Sequence, residues 1–470
     1  MTEVHSPRSG VRIAWFSPFP PVKTGVAAVS AELVAALETR GYAVDRYPES
    51  AAHDFPWRHR QRPYDRIVHQ FGNSSHHDYA WPYALRYPGL TVLHDTRLHH
   101  ARAALLLREQ RRDDYRRELA ASEPGLHHGA AELAVAGFDS RLYYDWPMVR
   151  SLIDASRVVA VHGAATRREL LDRLLGDRDP IADGGWDPTH RIVAIRLGHG
   201  ELVGAEREAA ARDALRGRYG IPRDAIVFGV FGGLTPEKRL PQILDAFRAV
   251  RASTPDARLL LAGAEASHFP LDALRAAEGV VVTGYVEESE LTDHIAAIDV
   301  SLNLRWPTAR ETSGPWLRAL AAGKATVITD LLQLAGVASL DPRTWLVNTP
   351  TDGREPRSEV RRPKSDAVCI AIDIVDEDHS LRLAMRRLAQ DAALRATLGH
   401  AARAYWQREH SIDAMADDYE ALLHREHREH PAHLAHPAHL AHPAHPAHLH
   451  ADGGETLRAL LRPFGIQPPF

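Results

Sequence analysis

The chain has 470 residues, 44% hydrophobic and 25% charged, a mix able to bury real cores over a length that suits two domains better than one. Lys+Arg 57 against Asp+Glu 61 gives a formal charge of -4, which excludes a polyanion binder working through bulk charge and, with it, a dedicated nucleic-acid protein. The single cysteine, Cys369, excludes an internal disulfide framework and a four-cysteine zinc site.

No apolar run approaches the roughly 20 residues needed to span a bilayer. The opening stretch MTEVHSPRSGVRIAWF has no signal-peptide core before its first strand, so a reducing, cytoplasmic setting is the expectation. Basic residues are almost all arginine; the lysines are Lys23, Lys238, Lys324 and Lys364. In such a composition each lysine is worth locating.

In chain order, VRIAWFS (Val11 to Ser17) reads as a buried strand that ends at Pro18. KTGV then leads into AAVSAELVAALETRG, with apolar residues at helical spacing and a stop at Gly41. DRIVHQF (Asp65 to Phe71), TVLH (Thr91 to His94), SRVVAVHG (Ser156 to Gly163) and HRIVAIRLG (His190 to Gly198) are further strands. Between the second and third strands of this half lies a polar stretch that contains Asn73. Arg97 to about Glu118 reads as one basic helix with an Ala-Leu face.

From Asp224 the alternation is cleaner. AIVFGVFG is a strand, PQILDAFRAVRAS a helix, ARLLLAG a strand and HFPLDALRAAEG a helix; VVVTGYV, ELTDHIAAIDVSLNL and ATVITD continue it. Strands alternating with helices predict βαβ units and parallel sheets. The expected fold is α/β: GT-B-like, with two Rossmann-like domains facing each other across a cleft, residues 1–198 and 199–402, then a closing helix at 403–423 that returns to the first domain and a His/Pro/Ala tail at 424–470. In the tail histidine recurs at every third position from His424 to His448, a period that aligns the rings on a polyproline II helix and can bind metal. Its scarcity of large apolar groups favours a solvated, disordered segment.

Ligands of open parallel sheets sit beyond the carboxyl ends of strands, and four loops there carry chemistry. NLRWPTARETSGPWLRALAAGKATV, Asn303 to Val327, opens a helix near Thr312. Thr312, Ser313 and Gly314 offer backbone N–H groups at its N-terminus, where partial positive charge favours an anion. Glu311, just ahead, is either a hydroxyl ligand or a helix cap. In FGGLTPEKRLPQIL, Phe231 to Leu244, Gly232 and Gly233 permit close backbone approach. Lys238 and Arg239 fall in the first turn of the following helix, where the dipole disfavours cations, so two there imply a negative guest. Thr24 and Gly25 open the first helix. His94 and Asp95 close the TVLH strand, placed either to bind hydroxyls or to be satisfied in the core. Lys324 reads as a structural turn residue. Asp376-Glu377-Asp378 reads as a helix start rather than an ion site, and the histidines of HQFGNSSHH show no zinc spacing.

Taken in this order, the four elements resemble glycosyltransferase family 4, the retaining nucleotide-sugar transferases of the GT-B fold. The likeness runs from about Val11 to Leu423 and is clearest in FGGLTPEKRLPQILDAF, VVVTGYVEESELTDHIAAIDVSLNLRWPT and ETSGPWLRALAAGKATV. It implies a retaining, metal-independent transferase with no cofactor, moving a sugar from a nucleotide-diphosphate sugar to a hydroxyl of a glycan, a lipid-linked sugar or a small metabolite. It further implies that Gly25 approaches a phosphate and that His94 lies near the reacting sugar. Gly233, Lys238, Arg239, Thr312, Ser313 and Gly314 hold the diphosphate, and backbone groups of Tyr285 and Val286 receive the base. Thr24, Asn73 and Asp95 are expected on the acceptor side.

The family's spaced pair of glutamates falls, counting back from Gly323, on Arg310 and Arg318. Glu311 therefore takes the first role by a one-residue offset, and the second role stays unassigned. Where the family commonly has an arginine, this chain has Leu234. Two other readings compete: a non-catalytic GT-B partner subunit and a nucleotide-sugar epimerase. If the acceptor is lipid-linked, the Arg97–Glu118 segment is the candidate for peripheral membrane contact at the inner face.

Overall fold

The computed structural model describes residues 10–429 apart from 124, 128, 139–141, 177–186, 267, 268, 270, 309 and 349–366. The His-rich tail beyond residue 429 lies outside the described residues. The chain divides into two compact units. One comprises Met1–Arg196, Ala309–Thr312 and Met415–Phe470; the other comprises Leu197–Thr308 and Ser313–Ala414.

Among the described residues the first unit holds a six-stranded parallel sheet. Its strands are β1 (Arg12–Phe16), β2 (Ala43–Tyr47), β3 (Arg66–Phe71), β4 (Leu90–Leu93), β5 (Val158–His162) and β6 (Ile192–Ile195). Their spatial order is β2-β1-β3-β4-β5-β6. The central runs RIAWF, RIVHQF, LTVL and VVAVH are almost wholly buried, as strands covered on both faces require. The helix Gly25–Thr39 follows β1 because Thr24 caps it, accepting from Ala27 N at 3.1 Å, and because Gly41 at φ 94 turns the chain out of it.

The expected single helix from Arg97 to Glu118 is two, His99–Arg108 and Arg112–Ser122, broken where Gln110 takes φ 60. Their apolar side is used inside the unit: Ala103, Leu106, Tyr115 and Leu119 form one buried cluster with Tyr143 and Met148. Arg102 is buried, forked onto Glu118 by two bonds of 2.7 Å, with its guanidinium 4.2 Å over Trp81. Most of the apolar side of this segment is thus spent inside the unit.

The second unit holds, among the described residues, an eight-stranded sheet. It comprises β7 (Val227–Phe231), β8 (Arg258–Ala262), β9 (Val280–Gly284), β10 (Val300–Asn303), β11 (Ala325–Thr329), β12 (Ser339–Leu340), β13 (Val347–Asn348) and β14 (Cys369–Ile372). The order is β13-β12-β14-β11-β10-β7-β8-β9, parallel except for the β12–β13 pair. Helix Leu240–Arg251 shows how the sequence drives packing: Leu240, Ile243, Leu244, Phe247 and Val250 recur on one side and all are buried.

Two expectations need correction. The HFPLDALRAAEG helix is a single turn, Asp272–Arg275. The closing helix is two, Ala392–Glu409 and Ile412–Glu429, and the second carries the first residues assigned to the tail. That second helix belongs to the first unit from Met415 onward. There Tyr419 is fully buried and stacked on Trp15 at 5.6 Å, and Asp418 forks onto Arg196. The polar-looking strand β2 and the short strands β12 to β14 were not anticipated.

Strand order reverses between β1 and β3 in the first sheet and between β7 and β10 in the second. Loops leaving the carboxyl ends of those strands are where an open parallel sheet leaves room for a ligand.

Candidate functional site

In the second unit the loops after β7 and β10 come together. Gly232 takes φ 85 directly after β7, a conformation that favours glycine. Its carbonyl oxygen would lie 2.0 Å from a Cβ placed on Gly263, so the β7 and β8 loops can touch only because Gly263 lacks a side chain. Leu234, where the resembling family has an arginine, is fully buried, and its N–H is bonded to Ala264 O at 2.7 Å. At this position the side chain belongs to the core.

Pro236–Lys238 form one tight turn, after which the Lys238 side chain folds back to donate to Phe231 O. A Cβ on Gly232 would stand 3.5 Å from Lys238 Nζ and 3.4 Å from Pro315 Cγ. The glycine, the amine and the head of the helix Gly314–Ala321 thus border one small space. Trp306 N, in the loop after β10, donates to Glu237 O at 2.8 Å and ties the two loops together. The helix opens at Gly314 rather than near Thr312. Ser313 is its N-cap, accepting from Trp316 N at 3.3 Å. An amine and the positive end of a helix beside a glycine form a cradle for an anion.

Arg239 takes another part. It sits outside the helix at φ 58, and its guanidinium is committed to Glu377, with contacts of 2.5 to 3.0 Å. That hydrogen bond raises its pKa further above the ordinary arginine value. Glu377 is the buried first residue of helix Glu377–Gln390, so Arg239 anchors that helix and is corrected from an anion ligand to a structural residue. Tyr285 is exposed just after Gly284, while Val286 packs on the apolar cluster around Ile295.

Two neighbours escaped sequence reasoning. Arg318 is buried on the Gly314–Ala321 helix; it donates from Nε to His199 Nε2 at 2.9 Å and pairs with Glu288. Accepting at Nε2 places the His199 proton on Nδ1. The His199 ring also lies 3.2 Å from where a Cβ on Gly314 would be. The signal was present as Arg318 at a position expected to carry glutamate. Glu311 and Thr312 are half-buried residues directly ahead of Ser313 and group with the first unit.

The first unit gathers its candidates at the β1/β3 reversal. Gly25 is exposed, and a Cβ there would meet nothing within 4 Å, so packing gives no reason for a glycine. Thr24 spends its hydroxyl oxygen as the helix cap. Asp95 accepts from Asn73 N at 2.7 Å, and Asn73 Oδ1 accepts from Ala101 N at 3.0 Å. These two side chains shape the loops after β3 and β4.

His94 is held from both sides: Nε2 lies 2.7 Å from Gln70 Oε1 and Nδ1 lies 3.1 Å from His162 Nε2. The Tyr419 hydroxyl sits against the same amide, 3.2 Å from Gln70 Nε2 and 3.4 Å from Oε1. His94 therefore donates at Nε2 and accepts at Nδ1 as a neutral ring. Burial, with His162 beside it, holds its pKa well below the usual imidazole value. Such a ring positions by shape and hydrogen bonding rather than by charge.

Residues 225–354 match the family model described as Glycosyl transferases group 1. No curated protein matches the chain. Among solved structures, the sucrose-phosphate synthase of Thermosynechococcus elongatus is similar with a TM-score of 0.55 at 14% identity, over 88% of this chain and 99% of that one. The catalytic domain of starch synthase IV from Arabidopsis thaliana, bound to ADP and acarbose, gives 0.56 at 12% identity, over 89% and 99%. A UDP-forming α,α-trehalose-phosphate synthase from Burkholderia xenovorans, in complex with glucose-6-phosphate, gives 0.53 at 12% identity, over 88% and 100%. The fold is the expected GT-B, and residues 225–354 are similar to group 1 glycosyltransferases.

Proposed function

We propose that this glycosyltransferase is a family 4 enzyme that moves a sugar, with retention and without a metal, from a nucleotide-diphosphate sugar to an acceptor hydroxyl. The observation that carries the reading is the space bordered by Gly232, Lys238 Nζ and the Gly314–Ala321 helix. Breaking the sugar–phosphate bond builds cationic character on the sugar and negative charge on the departing diphosphate. A fixed ammonium and a helix N-terminus stabilise that charge most when it is fully developed, which lowers the barrier rather than merely tightening binding. In this reading backbone N–H groups of Gly233 and Ser313 add donors to the diphosphate, and the exposed Tyr285 segment suits a base.

In this mechanism the leaving phosphate oxygen accepts the acceptor's proton, so no protein base is needed. Glu311 orients sugar hydroxyls, and Gly25 lets the backbone approach a phosphate in a place that packing leaves open. His94, neutral and fixed by Gln70 and His162, offers a defined surface to the transferred sugar. The acceptor is a glycan, a lipid-linked sugar or a small metabolite.

The test combines single-residue variants with a chelator. Lys238→Ala and Glu311→Ala are each expected to lower turnover by at least about a hundredfold, the usual scale for removing one transition-state charge partner, with unchanged melting. Excess EDTA is expected to leave wild-type turnover intact. Wild-type rates in both variants would refute the site, and loss of activity in EDTA would refute the metal-free mechanism. Nucleotide binding with no transfer to any of a panel of acceptors would favour the partner-subunit reading.

A further inference from the structure

The exits of β7, β8 and β9 share a floor of bare backbone. Gly232 and Gly263 meet backbone to backbone, and Gly263 N donates to Gly284 O at 2.9 Å. Gly284 takes φ 74, and a Cβ there would meet nothing within 4 Å. The three strands are parallel neighbours, so the floor runs two strand spacings, roughly 10 Å, from the cradle at Gly232 and Lys238 to Tyr285. Three residues beyond Tyr285, Glu288 opens the helix Glu288–Ala296. Its side chain is 54% exposed, yet Oε1 is pinned by Arg318 Nη2. Arg318 is buried and held in turn by His199, whose ring borders Gly314 at the head of the cradle helix. Among the described residues Glu288 Oε2 makes no hydrogen bond.

We propose that Glu288 is the ribose ligand of the donor, so that the site takes ribonucleotide sugars in preference to deoxyribonucleotide ones. This rests on the nucleotide-sugar reading above and adds to it a residue and a donor class. A diphosphate in the cradle and a base against the Tyr285 segment leave the pentose between them, over the floor from Gly263 to Gly284. An ionised carboxylate only accepts, so its natural guests are hydroxyl donors, and bonds of that charge-assisted kind are strong. Because a buried guanidinium fixes Oε1, Oε2 is offered without the rotamer entropy that a loose glutamate would lose on binding. An acid that served only to neutralise Arg318 could be buried with it; Glu288 keeps half of its side chain in solvent. Glu288 is thus a binding residue, and Arg318 is the positioning residue behind it.

The experiment is calorimetric titration of the full chain with UDP, GDP and ADP, then of the tightest binder against its 2′-deoxy and 2′,3′-dideoxy forms. Wild type is expected to bind the ribonucleotide about ten- to a hundredfold more tightly than the dideoxy form, the range for a hydrogen bond to a charged group. Glu288→Ala should bring the two affinities together, and Glu288→Gln, which still offers Arg318 an acceptor, should leave only a small ratio. Arg318→Met should lower the ratio as well, because Glu288 then turns freely into solvent. Each ratio is taken within one protein, so a general loosening of the fold cancels from it. A wild-type ratio near one, or a ratio unchanged in Glu288→Ala or Arg318→Met, would overturn the proposal and leave the nucleotide site standing. No binding of any of the three diphosphates would remove both.

Discussion

At the scale of single residues, a few atoms decide whether the second unit can form its anion cradle. Gly263 is the sharpest case, because a Cβ there would press on the Gly232 carbonyl oxygen at 2.0 Å. Backbone cannot yield as a flexible side chain does, so Gly263→Ala should cost about 1–3 kcal/mol. Equilibrium denaturation would read this, and donor turnover should fall with it as Gly232 is displaced. Lys238 stood out in the sequence because lysine is so scarce and its loop follows a strand. Arg239 was misread for a physical reason: its partner Glu377 lies 138 positions away, and no local pattern announces a long-range ion pair. His199 and Glu288 were invisible for the same reason, being joined to Arg318 only by the fold.

At the scale of elements, the last helix, Ile412–Glu429, completes the first unit. Tyr419 stacks on Trp15 and meets Gln70 through its hydroxyl, while Arg40 reaches Asp417 and Glu420 and Arg196 reaches Asp418. The ion pairs are partly exposed and each contributes little; the buried ring dominates. Tyr419→Ala should destabilise the first unit by about 3–5 kcal/mol, against about 1 kcal/mol for Tyr419→Phe, which loses only a hydrogen bond. Denaturation followed by near-ultraviolet circular dichroism would separate the two. Most strands of both sheets were legible as apolar runs of the right length, and the helix Leu240–Arg251 as a periodic stripe. The strand β2, reading AVDRY, was not, since its exposed edge position lets polar residues alternate with buried Val44 and Tyr47. Helices were joined too freely because the breaks at Gln110 and His410 involve residues that carry no breaker signal.

At the scale of the whole molecule, the two units should differ in their response to acid. Burial pushes His69 and His77 down to about 4 and holds His94 well below its ordinary value, and all three are in the first unit. Their folded pKa values lie below the unfolded value, so the unfolded chain binds more protons. Stability is then full above about pH 6.5 and is lost as the pH falls toward 4, by about 3 kcal/mol each for His69 and His77. Asp78, pushed up to about 6 by burial, acts with the opposite sign: its burial costs stability as the pH rises through 6, which only partly offsets the histidines. Calorimetry between pH 7 and 4.5 should therefore show one transition moving down much further than the other, and His77→Asn should reduce that shift. The fold class was legible in the motifs, but this asymmetry was not, because a histidine in the sequence does not reveal its burial.

The central claim is that Lys238 and the start of the Gly314–Ala321 helix hold a diphosphate. Its most direct test is a thermal-shift titration of wild type and Lys238→Ala against UDP, GDP and ADP. A ligand that binds only the folded state at a hundred times its dissociation constant stabilises it by about 2.7 kcal/mol. We expect at least one nucleoside diphosphate to raise the wild-type melting temperature by several degrees and to leave Lys238→Ala nearly unmoved. No shift with any of the three, or equal shifts in both proteins, would contradict the claim.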